Sequence, residues 1–379
     1  MVWIFTGVCA VSYTHLDVYK RQVSLSKNPY QEEEEEIFAV AALLPQGYTR
    51  TLLPAIVDSG DPLPLLGYTA VGVDDSGQLM VAAVPTDEDG RWNPKYYNTP
   101  DLPERIAERQ KEFPNNRMLE QLAKCSLEYG CFTAQNIFYR RFEAGLPVSP
   151  HCNAHCVGCI SLQESQCCPS PQQRITAAPT VEEVAEVAAA HLAEAEYPIV
   201  SFGQGCEGEP SLQGDLIAAA IQEIRRRTKR GTINMNTNAG STANLKKIVD
   251  AGINSLRVSM ISAIPEHYAA YHRPENYTFA DVKASLAYAQ AHGVKLAINL
   301  LTYPGLNDRV NELEALVELV RTYGIAQIQI RNLNIDPADM TKLYGGEPSL
   351  GMIPMLQCLR ENLPQTIIGS YSYPILWEE

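Results

Sequence analysis

The sequence predicts an α/β protein: a partial (β/α)6 TIM-type barrel preceded by a small amino-terminal domain, first β-rich and then helical. Three observations carry that reading. From residue 146 onward, short β-patterned runs alternate with amphipathic helical stripes, which implies a parallel sheet with right-handed crossovers. Several of those runs alternate polar with apolar residues, so they pack helices on one face and offer polar groups on the other. The chain has 379 residues, 45% hydrophobic and 20% charged, room for two domains of ordinary size or one barrel with an appendage, and for a full core. A flat sheet with one solvated face is the alternative that the same alternation allows.

Residues 1–22 stand apart. One permitted back-translation of Val11 to Gln22 is self-complementary over nearly its whole length and resembles two fused transposon ends of the kind used to fragment DNA for sequencing. The segment is therefore read as an artefact with no part in the fold, and Cys9 goes with it. Residues 23–36 form an acidic linker, with a charge run from Gln31 to Glu36. Residues 37–145 make the accessory domain. In it, 69–73 and 79–84 are apolar runs flanking Asp74-Asp75-Ser76-Gly77, a hairpin signal, and 102–145 is helical with a break near Pro114-Asn115-Asn116.

The barrel spans 146–335 and a carboxyl-terminal extension spans 336–379. Candidate strands are 146–149, 198–202, 232–237, 255–260, 295–301 and 327–333. Between them run helical stripes: Val181, Val184, Ala188 and Leu192; then Leu212, Leu216, Ile217, Ala220, Ile221 and Ile224; then Leu313, Leu316, Val317 and Val320. Thr180 with Glu183 forms a capping box. The polar positions are Asn234 and Asn236, Arg257 and Ser259, and Gln327, Gln329 and Arg331, which suits a lumen holding a polar ligand.

Net charge of −14 and a pI near 5.0 exclude broad binding to nucleic acid or anionic membranes, leaving room only for a local basic groove. No apolar run reaches about 18 residues, so no membrane span is expected. Ten cysteines, three of them bunched, fit a reduced, cytoplasmic protein using thiolates as ligands.

The bunched cysteines are Cys152, Cys156 and Cys159, at the carboxyl end of the first candidate strand. Three thiolates on one short loop can hold three irons of a [4Fe–4S] cluster, leaving one iron open, and an open coordination site means chemistry. The alternative is a zinc site completed by His151 or His155.

This loop resembles the signature of the radical S-adenosylmethionine (radical SAM) superfamily, and the likeness extends over roughly residues 146–333. Gly208-Glu209-Pro210, after the second strand, is similar to that family's Gly-Gly-Glu-Pro motif, with Glu207 in place of the first glycine. The resemblance implies that Gly208 and Glu209 receive the cofactor's amino group; a helix-end acid is the plain alternative for Glu209. Asn236-Thr237-Asn238-Ala239-Gly240 is similar to the family's Thr-Asn-Gly stretch, and Arg257 and Ser259 stand where the family meets ribose and carboxylate, a barrel-lining polar pair being the plain alternative. Two departures accompany these matches: Gly158 replaces the usual aromatic before the third cysteine, and the fifth strand lacks the glycine-rich adenine motif.

The family's activity implies a [4Fe–4S] cluster, S-adenosylmethionine and a reductant such as flavodoxin or ferredoxin. It implies reductive cleavage to a 5′-deoxyadenosyl radical that abstracts hydrogen from a substrate, a small molecule or peptide rather than RNA. A non-catalytic iron–sulfur or zinc module for electron transfer or interaction is the alternative. Cys167 and Cys168, a vicinal pair, and Cys206, inside the cofactor strip, have no assigned role. Cys125, Cys131 and Cys358 read as core, and Tyr371, Tyr373 and Trp377 as packing.

Overall fold

Seven strands form the central sheet in simple sequence order, each parallel to the next. They are β1 (Arg141–Gly145), β2 (Glu196–Phe202), β3 (Thr232–Thr237), β4 (Ser255–Met260), β5 (Lys295–Thr302), β6 (Gln327–Asn332) and β7 (Ile367–Gly369). The sheet curls into a half-barrel, the partial TIM-type architecture that the strand–helix alternation implies. This computed structural model describes residues 24–25, 37–38, 41–42, 44–54, 67–73, 78–88, 90–163 and 170–375. The segment 1–22, the charge run, the turn 74–77, Cys167, Cys168 and Trp377 lie outside them.

The crossovers are helical. α4 (Val181–Glu194) follows β1, α5 (Gly214–Arg227) follows β2 and α6 (Thr242–Asp250) follows β3. α7 (Pro265–His272) and α8 (Phe279–Ala291) follow β4, α9 (Val310–Tyr323) follows β5, and α10 (Pro337–Tyr344) and α11 (Met352–Asn362) follow β6. α4 begins with the capping box seen in the sequence: Thr180 Oγ1 accepts from Glu183 N, and the Glu183 carboxylate accepts from Thr180 N. Leu212 falls in a 3-10 turn ahead of α5.

Two features correct the sequence reading. The first strand is 141–145, where a helix was expected to continue, and not 146–149. Leu146 N still donates to Ser201 O, but Pro147 has no amide to give, and the amides of Val148 and Ser149 donate to the Glu207 carboxylate. The chain remains extended there while leaving the ladder. The second feature is β7, which adds a seventh strand from within the carboxyl-terminal extension.

Ahead of the barrel, three helices pack on its edge: α1 (Leu102–Glu112), α2 (Arg117–Leu127) and α3 (Phe132–Tyr139). The break between α1 and α2 falls where Pro114-Asn115-Asn116 stands, and Asn116 caps α2 by accepting from Leu119 N. Their apolar faces, through Leu119, Leu122, Ile137 and Phe138, belong to the same core as Val184, Ile217, Ile233 and Val258. The hairpin also forms, with Val71 opposite Val81 and Gly72 opposite Met80. A further strand, Tyr48–Arg50, pairs with Ala83–Pro85 and is fastened to the end of β6, where Asn332 Oδ1 accepts from both Thr49 Oγ1 and Arg50 N.

Candidate metal and cofactor site

The cysteine loop is held between two backbone segments. On one side, Gly208 N donates to Ser149 O at 2.7 Å and Glu209 N to His151 O at 2.8 Å. A Cβ on Gly208 would lie 2.0 Å from the His151 carbonyl oxygen, so only glycine permits this approach. On the other side, His155 N donates to the carbonyls of His272 and Arg273, and Val157 N to that of Tyr271. Gly158, where the family has an aromatic, faces Tyr271: a Cβ would stand 2.9 Å from that hydroxyl. Tyr271 fills that space from α7.

Two glutamates organise the strip after β2. Glu207 is buried and its carboxylate accepts four backbone amides, from Val148, Ser149, Gly203 and Gln204. Burial still pushes it up to about 8, against the pull of those amides. What reads in the sequence as a lost glycine is thus a clamp joining the start of the cysteine loop to the turn after β2. Glu209 is also buried. Its carboxylate accepts from Ser211 N at 3.0 Å, Thr237 Oγ1 at 2.5 Å and Asn238 N at 2.8 Å, and burial raises it despite them. It caps the 3-10 turn, as the helix-end alternative implies, and it also fixes the end of β3.

The other residues singled out from the sequence stand close by. Asn238 bridges to the cysteine loop, Nδ2 donating to Asn153 Oδ1 at 2.7 Å. Asn236 Oδ1 accepts from Arg257 Nη1 at 2.9 Å, and Asn236 Nδ2 donates to Gly203 O. Arg257 is buried and pairs with Glu143 at 3.0 Å across the lumen. Burial works against the Glu143 carboxylate, but Arg257, Ser201 and Ser372 outweigh it and hold it below the ordinary range. Ser259 is half-buried opposite Asn299 of β5, and its hydroxyl makes no hydrogen bond among the described residues. Cys206 and Cys125 are buried in the core.

The three loop thiols are free, and their surroundings suit one metal centre. Burial pushes Cys152 up to about 11, with Glu209 adding, and pushes Cys156 higher still, with Cys159 and Cys152 adding. A bound cation would favour the thiolate forms of Cys152 and Cys156 against that burial. Polar groups are aimed at them: His272 Nδ1 lies 3.4 Å from Cys156 Sγ, Ser161 Oγ 3.6 Å and Arg174 Nη2 3.9 Å from Cys159 Sγ. Among the described residues, no three His, Cys, Asp or Glu side chains converge on a point where one metal ion could sit. Three thiolates that can each take one iron are the donor set a cubane cluster needs. His155, one possible fourth zinc ligand, is exposed and lies 3.2 Å from Glu275. The sequence could not show His272 or Glu143 in these roles, because their partners Cys156 and Arg257 are 116 and 114 residues away, and Arg174 is placed by the fold of the loop after the third cysteine.

Residues 146–320 match a family model described as the radical SAM superfamily. Among solved structures, the chain is similar to the [FeFe]-hydrogenase maturase HydG, at 17% identity over 72% of this chain and 66% of that one, with a TM-score of 0.44. It is similar to methylornithine synthase at 14% identity, over 69% and 78% of the two chains, with a TM-score of 0.43. A radical SAM methyltransferase from Sphaerobacter thermophilus gives 19% identity over 60% and 66%, with a TM-score of 0.43. The chain thus spans just under two thirds of the maturase and of the methyltransferase, at 66% of each. No curated protein matches it.

Proposed function

The chain belongs to the radical SAM superfamily through residues 146–320, and on that footing we propose that it is an enzyme that opens a substrate C–H bond by one-electron chemistry. Cys152, Cys156 and Cys159 hold a [4Fe–4S] cluster in this reading. When bound and reduced, that cluster supplies the electron that cleaves S-adenosylmethionine to methionine and a 5′-deoxyadenosyl radical, which takes hydrogen from the substrate.

The observation that carries the reading is the loop of three half-buried, free thiols at the carboxyl end of the first strand of a parallel half-barrel. Around it each residue has a task. Gly208 lets the strip approach the loop. Glu209 and Asn238 fix the wall where the cofactor's amino end sits, with Glu209 keeping lone-pair capacity for an ammonium group. Ser259 offers a free hydroxyl in the lumen to the cofactor's polar groups, while Asn236 and Arg257 set the lumen floor beneath it. The apolar flank of Tyr268, Tyr271 and Leu333 excludes water. The substrate is a small molecule or a peptide, and the reductant a flavodoxin or ferredoxin.

The test is anaerobic reconstitution followed by dithionite and S-adenosylmethionine. The reading expects stoichiometric iron and sulfide and slow formation of 5′-deoxyadenosine even without substrate. Replacing the three loop cysteines by alanine should abolish both. A full cluster with no 5′-deoxyadenosine under any reductant would leave a non-catalytic iron–sulfur module, and tight zinc without iron would remove the cluster altogether.

A further inference from the structure

A cavity of about 230 Å³ lies where the strand Tyr48–Arg50 meets the carboxyl end of β6. Gln46, Tyr48, Arg50, Thr69, Arg331 and Asn334 are among its lining residues, and among the described residues the lining contains no aspartate or glutamate. In a chain of net charge −14, a cavity bordered by two arginines and no acid is unusual chemistry.

Arg50 is the informative residue. It is 2% exposed, yet no carboxylate among the described residues pairs with it. Nη1 donates to Tyr68 O at 3.1 Å, and the guanidinium carbon lies 5.6 Å from the centre of the Tyr303 ring. Nε and Nη2, the two donors along one edge of the fork, are buried without an acceptor. Burial pulls Arg50 down to about 10, against the opposing effect of Tyr303. An uncompensated buried charge is expensive, and proteins retain one where a ligand completes it. The backbone beneath it is fixed: Asn332 accepts from Thr49 Oγ1 and Arg50 N and donates to Tyr48 O. Arg331 bonds to neutral acceptors, Gln329 Oε1 at 2.9 Å and Asn299 Oδ1 at 3.3 Å.

We infer that this cavity binds an oxyanion, a carboxylate or phosphate of the substrate, with the free edge of Arg50 as its bidentate partner. That edge presents two parallel N–H donors, the match for two oxygens of one such group. The volume admits an anionic group with a few attached atoms, less than the roughly 300 Å³ at which sites for whole small molecules begin. Position supports a substrate role. Asn334 lines the cavity, and its carbonyl lies 3.6 Å from where a Cβ on Gly158 would stand, so the cavity adjoins the cysteine loop. An acid anchored here would leave its other end at the barrel mouth. The substrate assignment rests on the radical SAM reading; the anion site itself does not.

Thermal unfolding and isothermal titration of the reconstituted protein against inorganic phosphate, and separately against succinate, test the site. One of the two should bind and raise the melting temperature of the wild type. Arg50→Gln should weaken that binding tenfold or more, and Arg50→Lys should recover only part of it, since it restores the charge without the fork. Absence of binding by the wild type to either anion overturns the proposal whatever the variants do. Equal binding by Arg50→Gln overturns it as well. If S-adenosylmethionine competes with the bound anion, the site serves the cofactor's carboxylate and the substrate assignment fails. Formation of 5′-deoxyadenosine, measured on the same preparation, keeps the two readings apart: anion binding without it retains the site and removes the substrate role.

Discussion

Glu209 and His272 show what single residues contribute here. Glu209 accepts three hydrogen bonds while 4% exposed, joining the strip after β2 to the end of β3. Glu209→Ala should therefore cost about 1.5–3 kcal/mol of stability, the range for hydrogen bonds to a buried charged group. A simple helix-end acid would cost less than about 1 kcal/mol, and chemical denaturation distinguishes the two. At the proposed cluster site, His272 would act by a different route. Burial lowers it to about 3, so it is neutral, and its ring is held by stacking at 4.3 Å on Tyr268 with Nδ1 toward Cys156. A donor bonded to a ligating sulfur stabilises the reduced cluster and raises its potential. His272→Phe should then lower the midpoint potential in an anaerobic redox titration, while an unchanged potential would assign His272 to packing.

At the scale of elements, α4 is held at its start by one carboxylate. Glu183 closes the capping box with Thr180 and also takes a bidentate contact from Arg117 at the start of α2, which with Thr180 holds it down to about 2. Its folded value lies below the ordinary glutamate value of about 4.3, so its contribution is complete above that pH. The contribution is lost as pH falls toward about 2. Between those limits wild-type stability should fall more steeply than that of Glu183→Gln, by ~1 kcal/mol after solvent screening; melting temperatures across the acid range measure it. The capping box was legible because its residues are three apart and its geometry is local. So were β2 to β6 as apolar runs between helical stripes, with alternation marking both faces of β3, β4 and β6. β1 was misplaced because its limit depends on where Val148 and Ser149 send their amides, and the acceptor, Glu207, is 59 residues from Val148. The cysteine loop was legible from spacing alone. Its polar surroundings were not, since His272 arrives from α7, 116 residues beyond Cys156.

The whole molecule poses a closure problem. Seven strands in a row leave β1 and β7 as edges that do not pair with each other, and exposed edges invite unwanted strand pairing. The chain after β7 supplies the join. Ser372 Oγ donates to Glu143 Oε2 on β1 and accepts from Arg257 Nη2 on β4 at 2.7 Å, while Gln329 Nε2 of β6 reaches Ser372 Oγ at 3.2 Å. Farther on, Ile375 N donates to Thr232 Oγ1 at the start of β3. One buried polar knot thus ties β1, β4 and β6 to the tail and forms the floor of the lumen. Its charged members, Glu143 and Arg257, can be tested as a pair. Removing one partner leaves the other as an uncompensated buried charge, so Glu143→Gln and Arg257→Met should each cost about 3–5 kcal/mol. The double variant removes both partners together, although the Arg331 guanidinium then also loses Glu143, and should cost less than the sum, giving a coupling energy of about 2–3 kcal/mol in a double-mutant cycle by chemical denaturation. Additive losses would mean that the two side chains act separately, each through its own neighbours, and that the floor of the barrel is held by the serines and glutamines of the knot instead.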